Sequence, residues 1–305
     1  MLNTLFIHSQ SPKIDSLFIE LQKAKDDTSK IIQLNRLSRA FQTVNLDTAK
    51  VFALKAQKLS KKAKYIYGEG ESDFNLSNIF YYYSDYDTAL IFANQALELF
   101  DKLDSKKNIA KTNITLGNIY ERHNEFDLAI QHYNKSLQYA KEYKDLKLEM
   151  IVENGLGIVS NHSGDYKNAL KHYIKCLDIS TKLNHAIGIS SSLYNIGFIH
   201  EKMDNYKISL MYYEKALKMN KESNDTYRYS ITISRLGYIY SMLKNFEKAI
   251  DFELEAIELA KNLGATENIA EGYMILGNCY HNQNNYNKSV EYYKKAMVTT
   301  QVGCF

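Results

Sequence analysis

Apolar, small and aromatic residues recur along this chain at a spacing of 40. Glycine stands at Gly117, Gly157, Gly197, Gly237 and Gly277, and Ser77 takes the same place one period earlier. Leu116, Leu156, Ile196, Leu236 or Leu276 precedes each glycine, and an aromatic follows nine residues after it: Phe126, Tyr166, Tyr206, Phe246 or Tyr286. Small residues come three positions further on (Ala129, Ala169, Ser209, Ala249, Ser289) and again at Ser136, Cys176, Ala216, Ala256 and Ala296. A fixed period of this size marks stacked helical units. Small side chains let two helix backbones approach closely, while the Leu and aromatic positions fill the space between units. Just before the aromatic, Asp85, Asp165, Asn205, Asn245 and Asn285 suit a turn and a helix start, with Glu125 the exception.

The first part of the chain follows the pattern less closely. Residues 13–25 predict a short amphipathic helix, with Ile14, Leu17, Phe18 and Leu21 at helical spacing and Ser11-Pro12 as its start signal. A diverged unit follows, in which Leu37-Ser38 replaces Leu-Gly, Leu46 replaces the aromatic, and Ala49 and Ala56 keep the small positions. Its turn is expected to be one residue shorter than the later ones. The next unit is expected from about Gly70 to Lys107, after a turn at Gly68-Glu69-Gly70.

These residues resemble the tetratricopeptide repeat, whose first helix carries a Trp/Leu-Gly-Tyr stripe and whose second carries Ala-Phe-Ala. The family unit is about 34 residues long, so the longer period here implies a second helix that runs on past Lys141 and its equivalents, where the family usually has a Pro. The family's first-helix Trp is absent, since the chain has no Trp; Asn113, Glu153, Leu193, Ile233 and Tyr273 hold that place. The resemblance covers roughly residues 28–300. It implies an all-α fold, a right-handed α-solenoid of stacked helix-turn-helix repeats. The expected division is an N-terminal segment and capping helix over 1–27, then a solenoid over 28–305 of about seven repeats, with motif positions Ser38, Ser77, Gly117, Gly157, Gly197, Gly237 and Gly277.

Composition alters this little. Hydrophobic residues make up 45% of the chain, enough for a packed core, and a single Pro suits helices. The formal net charge is +3, which gives no reason to expect a nucleic-acid partner. Residues 1–67 are the basic part, with 12 Lys/Arg against 5 Asp/Glu. Cys176 and Cys279 fall at packing positions and are expected as buried thiols, Cys304 lies in the tail, and no CxxC spacing suggests zinc or redox work. No apolar run approaches membrane-spanning length. Leu2-Asn3-Thr4-Leu5-Phe6-Ile7 lacks the basic flank of a complete secretory signal. As the chain stands a cytoplasmic protein is expected, and a periplasmic or exported one if a signal peptide preceded it. Val298 to Phe305 abandons the Lys/Glu pattern without a polar cap, so a homodimer through the last repeat is a further expectation.

No residue is nominated as catalytic, cofactor-binding or metal-ligating, and an enzyme is not expected. Phosphate-cradle and nucleophile-elbow motifs are absent, and the eight histidines show no HExxH spacing. The positive signal lies on the first helix of each unit. The residue after the motif glycine is Asn78, Asn118, Ile158, Phe198, Tyr238 or Asn278, and Tyr194 comes three residues before Gly197. The resemblance implies that these positions line a concave groove, and that an Asn after the Gly hydrogen-bonds a ligand backbone. Lys111 and Arg235 sit in different units and do not reproduce the clamp of chaperone-tail binders. The expected partner is a protein or peptide segment, bound by a scaffold. The alternative expectation is the sensory portion of a bacterial two-component sensor histidine kinase or transcriptional regulator, which the stretch from Lys13 to Lys64 also resembles.

Overall fold

The structure is a computed structural model that describes residues 12–302. The amino-terminal stretch Leu2 to Ile7 and Cys304 lie outside these residues. The described chain forms fifteen helices and no strand, and its internal contacts divide it into two compact units, Met1–Gly155 and Leu156–Phe305.

In the first unit α1 (Pro12–Lys23) precedes three helical hairpins: α2 (Asp27–Phe41) with α3 (Leu46–Ala63), α4 (Ile66–Tyr82) with α5 (Tyr86–Lys102), and α6 (Lys106–Arg122) with α7 (Phe126–Glu142). Helix α1 begins on Pro12, whose missing N–H costs nothing in the first turn. It buries Ile14 and Leu17 against Leu37 of α2, with Phe18, Phe41 and Phe52 at the edge. Helix α8 (Leu146–His162) runs across the division. The second unit continues with α9 (Tyr166–Lys182), then pairs α10 (Ala186–Lys202) with α11 (Tyr206–Glu222), α12 (Thr226–Met242) with α13 (Phe246–Leu263), and α14 (Thr266–Asn282) with α15 (Tyr286–Val302).

The helices are punctuated with a regularity beyond the 40-residue repeat. A residue with positive φ stands every 20 residues from Lys64 to Asn284, among them Asp104, Asn124, Gly164 and Gly264. Each ends a helix in the left-handed conformation, as Ser84 does where the Asp85 N–H returns to the Phe80 carbonyl at 3.0 Å. Several of the following helices then start on a side-chain cap. Asp85, Asp165, Asn245 and Asn285 accept from the N–H three residues on, whereas Glu125 makes no such bond. Asn205 also departs from the expectation, with no side-chain cap bond. First and second helices are thus of equal length, 17 residues in α6 and α7, which accounts for the long repeat.

Two local expectations are corrected. Gly68 and Gly70 form no turn but lie in the first turns of α4, both buried. A Cβ on Gly68 would come within 2.6 Å of Ile31, and one on Gly70 within 2.9 Å of the Phe100 ring, so both glycines are packing residues. In the diverged unit it is the helix that is cut short: α2 stops at Phe41, and residues 42–45 make a longer turn.

The motif glycines face their partner helices. A Cβ added to Gly117, Gly157, Gly197 or Gly277 would meet the ring of Tyr133, Tyr173, Tyr213 or Tyr293, sixteen residues later on the second helix. At Gly237 the same place is taken by the carboxylate of Glu253. Cys176 and Cys279 are buried, as their places in the pattern require.

Candidate functional site

In the first unit α4 touches both α2 and α6, so equivalent positions on successive first helices come side by side. The contacts between them are polar. Asn75 donates to both the carbonyl and the side-chain oxygen of Asn35, at 3.2 and 3.1 Å, and Arg39 pairs with Glu71 at 2.8 Å. Asn78 and Asn118 are half-buried. Asn78 accepts from the Thr115 hydroxyl at 3.2 Å, and Asn118 Oδ1 receives the Tyr133 hydroxyl at 2.6 Å. Burial pushes the Tyr133 phenol up from its ordinary value, so this hydroxyl holds its proton and donates it. With Oδ1 taken, the Asn118 amide is oriented and its NH2 group is turned away from the tyrosine.

The basic character of residues 1–67 is partly offset within the fold, because Arg36 pairs with Glu20 at 3.3 Å and Lys61 lies 3.9 Å from Glu69.

In the second unit Ile158 and Phe198 pack on the cluster of Ala169, Tyr173, Ile196 and Ile199. Tyr194, Phe198 and Tyr238 share the cluster of Tyr213, Leu236 and Ile239. All four of these predicted residues are half-buried: each rests one side on the core and keeps part of its surface in solvent. The Tyr194 and Tyr213 rings lie 5.3 Å apart, and Lys202 Nζ sits 5.0 Å from the centre of the Phe198 ring. Asn278, on α14, is exposed and repeats the arrangement of Asn118, with Tyr293 donating to its Oδ1 at 2.6 Å.

Next to this aromatic row lies a charged cluster that the sequence pattern does not announce. The Arg235 guanidinium of α12 reaches Glu271 of α14 at 3.2 Å and Glu201 of α10 at 3.6 Å. Glu201 also accepts the Tyr213 hydroxyl at 2.7 Å. Burial raises the Glu201 carboxyl above the usual range, against the lowering effect of the Tyr213 bond and Arg235. Glu253 is fully buried behind the cluster, and burial pushes its carboxyl well up, with Glu271 adding to the effect. The signal was present in the sequence as an interruption: Tyr133, Tyr173, Tyr213 and Tyr293 mark a tyrosine position that Glu253 breaks.

Two histidines stack on tyrosine rings. His132 stacks on Tyr120 with ring centres 5.3 Å apart and has Nδ1 2.8 Å from Asn113 Oδ1, and His200 stacks on Tyr212. Among the described residues no three His, Cys, Asp or Glu side chains are placed to hold a metal ion. No described helix is long and apolar enough to cross a membrane.

Comparison with known proteins agrees with this geometry. The tetratricopeptide repeat pattern matches residues 68–142, 148–222 and 188–262, and a second tetratricopeptide repeat pattern matches 270–298. No curated protein matches the sequence. Among solved structures the chain is similar to the apo form of RapI, with a TM-score of 0.70 and 19% identity over 89% of this chain and 98% of that one. It is similar to the apo form of the quorum sensor NprR from B. thuringiensis, with a TM-score of 0.73 and 20% identity over 94% of this chain and 80% of that one. A Rap protein complexed with Competence and Sporulation Factor matches with a TM-score of 0.57 and 13% identity, over 95% and 96% of the two chains. At these identities the likeness is one of fold.

Proposed function

Since the chain belongs to the tetratricopeptide repeat family, we propose that it is a non-catalytic scaffold that binds an extended peptide or protein segment on the faces of its first helices. The observation that carries this reading is the tyrosine-oriented asparagine. At Asn118 and again at Asn278 a tyrosine hydroxyl occupies Oδ1 at 2.6 Å, which holds the amide in one orientation before any ligand arrives. A pre-oriented NH2 donor suits a backbone carbonyl, and holding it fixed beforehand lowers the entropic cost of binding. In the second unit Tyr194, Phe198 and Tyr238 supply half-buried aromatic surface of the kind that anchors apolar ligand side chains. The fold likeness to a quorum sensor and to a Rap protein complexed with a factor supports a signalling role, in which occupancy of these faces is the sensed event.

The test is retention of a pool of capped, fluorescein-labelled short peptides on the immobilised protein, followed by anisotropy titration of the retained sequences. Binding by the wild type is expected, with a loss of about tenfold in Phe198→Ala and in Tyr238→Ala, the scale of a truncated aromatic hot spot. Helicity should be unchanged. Retained peptides whose affinity is the same for both variants would overturn the assignment to this face.

A further inference from the structure

Of the five motif glycines, four face a tyrosine on the second helix and Gly237 faces Glu253. Packing does not explain the exchange. A tyrosine fills this place opposite the other four motif glycines, and three of them, Tyr133, Tyr213 and Tyr293, donate their hydroxyls to Asn118, Glu201 and Asn278. Glu253 has no surface in solvent, and neither of its carboxylate oxygens has a hydrogen-bond partner among the described residues. A buried carboxylate without a partner costs several kcal/mol unless it takes a proton or meets a cation.

The surroundings show where a cation would come from. The Glu253 carboxylate lies against Gly237 of α12 and Gly272 of α14. Gly237 is two residues from Arg235, and Gly272 adjoins Glu271. Glu201 and Glu271 pair with the single guanidinium of Arg235, and Glu253 lies near enough to feel the charges of Arg235 and Glu271, with Lys202 further out over the Phe198 ring. Arg235 alone does not balance them, even with Glu253 protonated. The open side of the cluster is Glu271, whose side chain is 42% exposed, whereas that of Glu201 is 7% exposed. Tyr194 lies against Tyr213 at the same place, and its half-buried ring offers a face to a positive group.

We infer that the second unit recognises its ligand through a cation: an Arg or Lys side chain of the bound peptide, seated on Glu271 at the open side of the Arg235–Glu201 pair, with the partnerless carboxyl of Glu253 buried behind them. This rests on the peptide-binding reading above and gives it a specificity. The aromatic row then takes an apolar residue of the same peptide, and the cluster takes a basic one. The arrangement also implies a marked salt dependence of binding.

The experiment uses three pools of capped, fluorescein-labelled short peptides, alike in their randomised positions and differing in one fixed residue, which is Arg, Gln or Glu. Each is measured against the full chain by anisotropy at low and high salt. The Arg pool is expected to bind about tenfold more tightly than the Gln pool, the Glu pool more weakly than either, and the preference should shrink at high salt. Glu271→Gln, on the open side, should cut the preference to about twofold, and the isosteric Glu253→Gln should also reduce it. Phe198→Ala should weaken all pools alike and leave their ratio unchanged, which separates the two readings. Circular dichroism confirms that each variant is folded. Equal binding of the Arg and Gln pools overturns the cation site while peptide binding stands, as does a preference for Arg that survives in both Glu variants. Retention of none of the pools overturns both readings.

Discussion

A methyl group added at Gly157 would lie 2.5 Å from Tyr173 Cε1 and 2.7 Å from Cδ1. Carbon atoms in contact sit about 3.5–4.0 Å apart, so the ring would have to retreat by about 1 Å. It has little room, because Tyr173 is 3% exposed and packs with Ala169, Ile196 and Ile199. Overpacking of this kind costs about 1–3 kcal/mol. Against it stands the gain of about 1 kcal/mol from replacing Gly by Ala inside a helix. Gly157→Ala should therefore destabilise the protein by up to about 2 kcal/mol. Gly197 offers an internal control, since its added Cβ would meet the Tyr213 ring at 3.0 Å, a few tenths of an ångström too close. There the two effects nearly cancel, and Gly197→Ala should be close to neutral; Gly197→Leu, with three more carbons to place, should again cost about 1–3 kcal/mol. Gly164→Ala separates strain from crowding: nothing lies within 4 Å of its Cβ, but its φ is +79°. It should cost about 1–2 kcal/mol through backbone strain alone. Urea titrations followed by circular dichroism, run side by side, give the order of midpoints. If Gly157→Ala proved as stable as the wild type and Gly197→Ala markedly weaker, the close approach of glycine and tyrosine would not be what holds these hairpins together.

Two buried groups in the first unit should give stability opposite pH slopes. Burial lowers His132 to about 4 from an ordinary value of 6.5, so the unfolded chain takes up the proton first and stability falls as pH drops through 6.5 toward 4. Burial raises Asp73 to about 6 from 3.8, so the folded chain keeps its proton longer and stability falls as pH rises from 3.8 toward 6. Melting temperatures from pH 4 to 7 should show His132→Gln gaining on the wild type toward acid and Asp73→Asn gaining toward neutral; parallel curves would refute both assignments. Burial raises Glu253 as well, so its contribution is intact at low pH and is lost as pH rises through the folded value. Glu253→Gln should thus stabilise the protein more at alkaline than at acid pH, and a constant offset would show a carboxyl that does not titrate with folding. Tyr133→Phe removes the hydroxyl that orients Asn118. It should cost about 0.5–1.5 kcal/mol, the net worth of a hydrogen bond, in a thermal melt; no change would mean that the bond does not form.

The repeat was legible along the chain because its parts are local. A helix records its buried face in residue spacing, so Leu116, Gly117, Phe126 and Ala129 and their copies define two helices per unit without any long-range information. Capping is equally local, and Asp85, Asp165, Asn245 and Asn285 act as their positions require. The 20-residue series of left-handed residues was harder to see, because Lys64, Ser84, Lys144 and Lys244 serve in it beside the Asn, Asp and Gly that favour the conformation, and the helix end imposes it on all of them. Gly68 and Gly70 resembled a turn because glycine permits both a turn and a close approach. The choice lay with Ile31 and Phe100, which are 37 and 30 residues away in sequence, and which face them across the hairpins. That Ile158, Tyr194, Phe198 and Tyr238 lie half-buried on their helices followed from helical spacing alone. The charged cluster did not. Glu201, Arg235, Glu253 and Glu271 come from four helices, and each looks like an ordinary surface charge within its own segment. Only the stacking of α10, α12, α13 and α14 brings them together, burying Glu201 and Glu253 while Glu271 keeps an open side, and that proximity turns four common residues into one cluster.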